Sequence, residues 1–118
     1  MPRGLLPAIV PRATRNRDSF ELCVYHVLPG KMSALEARFR DTTSKLLHNV
    51  RVVGYSVAED NTFVFVVVHT SREKAKQNWD AFRADPDFQE MAKSEQRDKL
   101  VEKIDSTYMR PTDFSPMK

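Results

Sequence analysis

The chain has 118 residues, of which 41% are hydrophobic and 30% are charged, as in an ordinary soluble globular domain. No apolar run approaches the roughly 20 residues that span a bilayer, so we expect no transmembrane segment. The single cysteine, Cys23, excludes a disulfide framework and is typical of a reducing compartment. We therefore expect one cytoplasmic domain with a single core.

The positive charge lies in residues 1–18, which carry arginines at four positions, prolines at three, and a single acid. The net charge of +3 belongs to this stretch, and the neutral remainder lacks the basic surface that binding to nucleic acid requires. We expect an extended arm, solvated or lying on a partner subunit, because proline disrupts helices and central strands. An arginine-rich organelle leader is the alternative, and it would place the protein in the mitochondrial matrix.

The remaining sequence predicts six elements in the order strand, helix, strand, strand, helix, strand. They are a strand over 20–28, a helix over 31–48, strands over 51–58 and 62–69, a second helix from residue 70 that breaks near Arg83 and restarts at Asp85-Pro86, and a strand over 100–110. This order is that of the split βαβ, ferredoxin-like fold, an α+β architecture whose four-stranded antiparallel sheet carries both helices on one face.

The strand from Thr62 to His69 is almost wholly apolar, with aromatic and β-branched residues at successive positions. Such a run is typical of a strand that is buried on both faces. Because this short chain has too few helices to cover two faces, we expect a second copy of the protein to cover one of them. The sequence therefore predicts a homodimer that forms through the sheet, a dimeric α+β barrel.

Turn and cap residues mark the ends of the predicted elements. Ser33 with Glu36 matches a capping box, although Gly30 is an alternative start for the first helix. Thr70 with Glu73 matches a second capping box, and Gly54 predicts a bulge in the second strand. Positions with helical spacing predict the buried face of the first helix, namely Met32, Leu35, Phe39, Thr42 and Leu46, with Leu47 beside them.

Three motifs resemble the NIPSNAP family. Glu21-Leu22, Tyr25-His26 and Leu28-Pro29-Gly30-Lys31-Met32 are similar to the opening of its domains, Asp85-Pro86-Asp87-Phe88 to an internal turn, and Arg110-Pro111-Thr112-Asp113-Phe114-Ser115-Pro116 to the closing segment. The resemblance covers residues 20–116 and implies a dimeric α+β barrel, in a superfamily that also contains cofactor-free monooxygenases and small isomerases. It implies a domain over 19–110, between the arm of residues 1–18 and a C-terminal arm of residues 111–118.

The candidate catalytic residues are His26, His69 and Tyr55. Both histidines lie near the C-terminal ends of the predicted central strands, so parallel strands would bring them to one end of the sheet. There a histidine could act as a general base, and Tyr55 could hydrogen-bond an enolate-like oxygen. The candidate ligand-binding residues line a pocket between sheet and helices: Phe39, Trp79, Tyr108 and Arg110.

Simpler interpretations stand beside these. The histidines could be structural hydrogen-bonding groups, Trp79 a packing residue, and Arg110 the partner of a carboxylate across the dimer. None of the three histidines, His26, His48 and His69, lies at metal-binding spacing, and no glycine-rich loop is present, so we expect no metal and no cofactor.

Two functions follow as hypotheses. The first is a NIPSNAP-type binding module, for a small apolar ligand or a protein partner, whose pocket is filled by side chains. The second is a cofactor-independent monooxygenase, isomerase or cyclase acting on an apolar, enolisable substrate. The second requires a cavity of at least roughly 300 Å³ on which both histidines converge.

Overall fold

The computed structural model describes residues 19–116. The chain forms β1 (Ser19–Val27), α1 (Met32–Arg38), a π-helical turn (Phe39–Thr43), α2 (Ser44–Leu46), β2 (Arg51–Val57), β3 (Thr62–His69), α3 (Arg72–Ala84), α4 (Pro86–Arg97) and β4 (Val101–Met109). The four strands make one sheet of order β2-β3-β1-β4 in which every neighbouring pair is antiparallel. The predicted fold class is confirmed. The arm expected over residues 1–18 lies outside the described residues.

One face of the sheet carries the helices. Phe63, Phe65 and Val67 alternate along β3 on this face and join a single core with Cys23 and Val27 of β1. The helical segments and the turn that follows them contribute further large side chains to this core: Leu35, Phe39, Leu47, Trp79 and Phe82. The alternation of period two along β3 thus decides which side of the sheet the helices cover.

The other face of the sheet carries the even-numbered residues of β3. Val64, Val66 and Val68 are partly exposed there, and β1 adds Leu22 and Val24 beside them. None of these five side chains belongs to the buried core that the described helices share with the sheet. We call these five residues the valine face.

A π-helical turn changes the phase of the first helix. The spacing predicted that Thr42 and Leu46, with Leu47 beside them, would face the core, but Thr43 and Leu47 are the buried residues. The turn over Phe39–Thr43 is wider than an α-helical turn and adds one residue, so every later position rotates relative to the regular pattern. Leu35, which precedes the turn, and Phe39, its first residue, are buried as predicted.

Both predicted capping boxes are wrong. The first helix begins after Lys31 without a side-chain cap. The N-cap of α3 is Ser71, one residue beyond Thr70, and its side chain accepts a hydrogen bond from Lys74 N. Thr70 and Ser71 are adjacent and both residue types cap helices, so the sequence pattern predicted the wrong one of the two. The predicted cap at Asp85 before Pro86 is confirmed, since Asp85 Oδ1 accepts from Asp87 N at 2.8 Å.

The edge strands end close to their predicted limits. The register of β2 against β3 shifts between Val52 and Gly54, which confirms the predicted bulge. The turn into β3 is completed by Asn61, whose φ of 64° lies in the left-handed region. At the opposite edge β4 ends at Met109, so Arg110 follows the strand and does not share its face.

Candidate functional site

A pocket of about 220 Å³ lies between the sheet and the helices. Its walls are mainly aromatic and aliphatic: Leu35, Phe39, Phe82, Phe88, Met91, Ala92, Val101 and Ile104. The π-helical turn supplies Phe39 and also Thr43, whose hydroxyl lies 3.2 Å from Met91 Sδ. The remaining lining groups are polar: Tyr25, Arg38 and Glu95. Pockets with apolar walls and a few placed polar groups are typical of small-molecule sites.

An ion pair between Arg38 of α1 and Glu95 of α4 lines the pocket. Arg38 Nη1 donates to Glu95 Oε1 at 2.7 Å, and the two side chains are 15% and 27% exposed. Glu95 also accepts from the backbone N–H groups of Leu100 and Val101, at 3.0 to 3.2 Å. Burial acts to raise the pKa of Glu95, but these hydrogen bonds outweigh burial and lower it. The carboxylate thus fixes α1 and the start of β4 to α4.

The Tyr25 hydroxyl lines the same pocket and has no hydrogen-bond partner among residues 19–116. Its ring packs against Phe39 and Phe65, with centroids 5.4 and 5.6 Å away. Burial raises the pKa of Tyr25 above its ordinary value of 10. A partly buried hydroxyl without a protein partner costs stability, which makes Tyr25 the unusual polar group of this pocket.

The Tyr25→Phe variant should therefore be more stable than the unaltered protein. It removes an unpaired hydroxyl and keeps the ring, so we expect the free energy of unfolding to rise by about 1 kcal/mol. Urea denaturation measures this change. Tyr55→Phe is the matched control, because the Tyr55 ring is 39% exposed and should leave stability nearly unchanged. A loss of stability in Tyr25→Phe would show that the hydroxyl has a partner.

A second polar group is buried at the other end of β1, beneath α3. Glu21, which is 4% exposed, accepts hydrogen bonds from His69 Nε2 at 2.9 Å and from Trp79 Nε1 at 2.7 Å. Its other oxygen accepts from Ser106 Oγ. Asn78 Nδ2 lies 3.0 Å from His69 Nδ1, which places the ring proton on Nε2 when the amide donates. Both ring nitrogens of His69 are thereby occupied.

The Glu21 carboxylate is held in its charged form. Burial alone would raise its pKa, but the hydrogen bonds from His69, Ser106 and Trp79 lower the pKa from 4.5 to about 2. Burial and the nearby charge of Glu21 raise the pKa of Cys23 to about 12. The thiol is thus protonated and lies in the core, where it is 3% exposed. This agrees with a structural cysteine.

The two predicted catalytic histidines do not meet. β1 and β3 are antiparallel, with His26 opposite Thr62 and His69 opposite Ser19, so the histidines lie at opposite ends of the sheet. They also point to opposite faces, since His69 is buried beneath α3 whereas His26 pairs with Asp105 Oδ2 at 2.8 Å. The assumption of parallel central strands was wrong. A hairpin joins β2 to β3, and it reverses β3 relative to β1.

The other candidate residues divide between separate places. Trp79 joins the Glu21 group, and Tyr108 lies nearby, with the Arg72 guanidinium 3.7 Å from its ring centroid. Tyr55 shares with Phe39 an open depression of about 350 Å³ at the β2 edge. Arg110 is exposed and forms no ion pair within the described part of the chain. Of all the candidates, only Phe39 lines the apolar pocket.

Sequence reasoning missed the polar residues of the 220 Å³ pocket and of the buried site around Glu21. Glu21 had a visible signal, because it is an acid near the start of a largely apolar strand. Tyr25 alternates with Cys23 and Val27, so its side of the sheet was predictable but its lack of a partner was not. Arg38 and Glu95 look like ordinary helix-surface charges in the sequence.

Residues 19–116 contain no group of three metal-ligating side chains that could hold an ion, and no helix long and apolar enough to cross a membrane. An open depression of about 840 Å³ between α1 and α4 is lined by many charged side chains of both signs. It has the character of a solvated surface, which leaves the 220 Å³ pocket as the candidate site.

The sheet order and the helices on one face define a ferredoxin-like α+β domain. The sequence profile of the NIPSNAP family matches residues 20–116, and the chain belongs to that family. No curated protein matches the chain.

Solved structures share this fold at low identity. A NIPSNAP family protein from Agrobacterium tumefaciens is 19% identical, with a TM-score of 0.78 over 86% of this chain and 92% of its own. A NIPSNAP domain protein from Burkholderia xenovorans is 19% identical, with a TM-score of 0.74 over 83% and 98%. A protein from Nitrosomonas europaea, named as a candidate antibiotic biosynthesis monooxygenase, is 12% identical, with a TM-score of 0.59 over 80% and 89%.

Proposed function

We propose that this chain is a NIPSNAP-type binding module that acts as a homodimer and holds a small apolar ligand in the pocket between sheet and helices. The observation that carries the proposal is the 220 Å³ pocket with eight apolar lining residues, which is open where the sequence-based hypothesis expected side chains to fill it. Its volume is below the roughly 300 to 1,000 Å³ of sites for drug-sized ligands, which favours a smaller molecule. Filling such a pocket removes apolar surface from water and stabilises the complex.

The π-helical turn supports this location. Such turns are rare in proteins, and a large share of those that occur are found at functional sites. Here the turn supplies Phe39 and Thr43 to the pocket wall, and Arg38 precedes it directly. A regular α-helix over these residues would place the following positions, including Thr43, on a different side of the helix. The wide turn therefore brings Thr43 to the pocket wall.

The enzyme alternative has less support. It is kept because a structural neighbour bears the name of a candidate monooxygenase, but at 12% identity that likeness concerns the fold alone. The enzyme hypothesis requires both histidines at one cavity, whereas His26 and His69 lie on opposite faces of the sheet. The cavity beside His69 measures only about 80 Å³. Binding without turnover thus fits the described residues better.

The homodimer is supported by the valine face. Five aliphatic side chains lie together in the middle of a four-stranded sheet, and no described helix packs on them as part of the core. Their removal from water would favour association, and a stable interface buries about 800 Å² per partner. A second copy supplies an equivalent apolar face by symmetry. A different protein with an apolar surface is the alternative partner.

Naphthalene is a suitable probe of the pocket, because it is small, neutral and apolar. Isothermal titration should show binding to the unaltered protein and loss of binding to the Ala92→Phe variant, whose new ring would occupy the pocket. Ala84→Phe makes the same exchange at an exposed site on α3 and should bind as well as the unaltered protein.

Circular dichroism of each variant establishes that the fold is retained before the titrations are compared. Equal binding by all three proteins would place the naphthalene elsewhere and would count against this pocket. Absence of binding to the unaltered protein would overturn the proposal.

A further inference from the structure

We propose that the pocket is built for a neutral ligand with a carbonyl oxygen, such as a ketone, which accepts hydrogen bonds from the Tyr25 hydroxyl and the Arg38 guanidinium. This inference rests on the proposed function, because it names the chemical class of the ligand in the same pocket. It follows from an inventory of the donors and acceptors that line the pocket.

The pocket holds hydrogen-bond donors that the described residues leave unused. The Tyr25 hydroxyl has no partner within residues 19–116. Arg38 carries five N–H donors, and its side chain makes one hydrogen bond there, from Nη1 to Glu95. Arg38 is also only 15% exposed, so bulk water reaches little of it. Unpaired donors in a partly desolvated pocket favour a ligand that brings an acceptor.

The charged acceptor of the pocket is already occupied. Both oxygens of Glu95 take hydrogen bonds, from Arg38 and from the backbone N–H groups of Leu100 and Val101. The Thr43 hydroxyl donates to Met91 Sδ, so the acceptor lone pairs still open in the pocket are those of hydroxyl oxygens. An ammonium ligand, which brings only donors, would therefore find no free carboxylate here.

The charge of Arg38 is neutralised before any ligand arrives. Glu95 lies 2.7 Å from its guanidinium, and the backbone donors of Leu100 and Val101 hold that carboxylate in place even without the arginine. A carboxylate ligand would bring a second negative charge close to Glu95, at a cost that partial burial increases. A carbonyl oxygen accepts the same hydrogen bonds without that repulsion. The position of Glu95 thus favours a ketone over an anionic ligand in this pocket.

Three probes of nearly equal shape test the inference: methyl β-naphthyl ketone, β-ethylnaphthalene and β-naphthoate. The ketone carries a neutral acceptor, the hydrocarbon carries none, and the naphthoate carries a charged one. Isothermal titration should show that the ketone binds about tenfold more tightly than the other two, the effect of one or two hydrogen bonds in a protected site. In Tyr25→Phe the advantage of the ketone over the hydrocarbon should shrink severalfold, whereas Tyr55→Phe should keep it.

Each result has a defined meaning. Equal affinity for the ketone and the hydrocarbon would overturn the carbonyl assignment and leave the apolar pocket standing. Tightest binding of the naphthoate would overturn it too, because Arg38 would then act as an anion site. A ketone preference that Tyr25→Phe does not reduce would remove Tyr25 from the site and overturn the assignment as stated. If none of the three probes binds, both this inference and the proposed function fail.

Discussion

The Glu21→Ala variant should lose about 3 to 5 kcal/mol of its free energy of unfolding, enough to unfold many domains of this size. The Glu21 carboxylate accepts hydrogen bonds from three side chains, and its removal leaves the buried His69 ring and the Trp79 N–H without their partner. Urea denaturation followed by far-ultraviolet circular dichroism measures the loss. Glu102→Ala is the matched control, because Glu102 is an exposed acid on β4, and its change should stay within about 0.5 kcal/mol.

The pH dependence of stability provides a second measurement on Glu21. Its pKa falls from 4.5 in the unfolded chain to about 2 in the folded protein, so its contribution is fully present above pH 4.5 and is lost as the pH falls toward 2. That difference corresponds to about 3 kcal/mol. The conservative variant Glu21→Gln cannot titrate, so its stability should decline less over this interval. Parallel pH profiles for the two proteins would contradict the assignment.

If the proposed homodimer forms through the valine face, the Val66→Glu variant should dissociate it into folded monomers. Val66 lies at the centre of the valine face, opposite Leu22 on one side and Gly54 on the other, and it points away from the helices. A carboxylate there would be buried unpaired in the dimer but would stay in water in the monomer. Multi-angle light scattering should show the mass falling from two chains to one, with circular dichroism retained.

Val57→Glu is the control for this experiment. Val57 is 51% exposed at the β2 edge and lies on the helix side of the sheet, opposite Phe63 in the β3 register. It introduces the same charge without touching the valine face, so the dimer should persist. A single-chain mass for the unaltered protein would show that the valine face is not a homodimer interface.

The sequence was sufficient to predict the order of the elements and the fold class, because these depend on local periodicity. Alternation along β3 and the Asp85-Pro86 helix start are readable from a few neighbouring residues. The phase of the first helix was not readable, since the π-helical turn adds one residue that no local pattern announces. Thr43 therefore takes the place of the predicted Thr42 in the core, and Leu47, predicted beside Leu46, is the buried leucine of the pair.

The candidate site was much less predictable than the fold. Its polar groups come from distant parts of the chain, with Tyr25 on β1, Arg38 on α1 and Glu95 on α4. A sequence shows that each is present, but only the packed structure shows that Arg38 meets Glu95 and that Tyr25 meets no partner. The histidine prediction failed for a related reason, because strand direction is a property of the whole topology.

The unpaired Tyr25 hydroxyl has a practical consequence for finding the natural ligand. A protein with unpaired hydrogen-bond donors in its pocket is stabilised when a ligand with a matching acceptor binds, and its melting temperature rises with ligand concentration. A compound library can therefore be ranked by melting temperature alone, without an assay for any reaction. Tyr25→Phe removes one of those donors. Compounds that bind in the pocket would therefore be recognised because they raise the melting temperature less in that variant than in the unaltered protein.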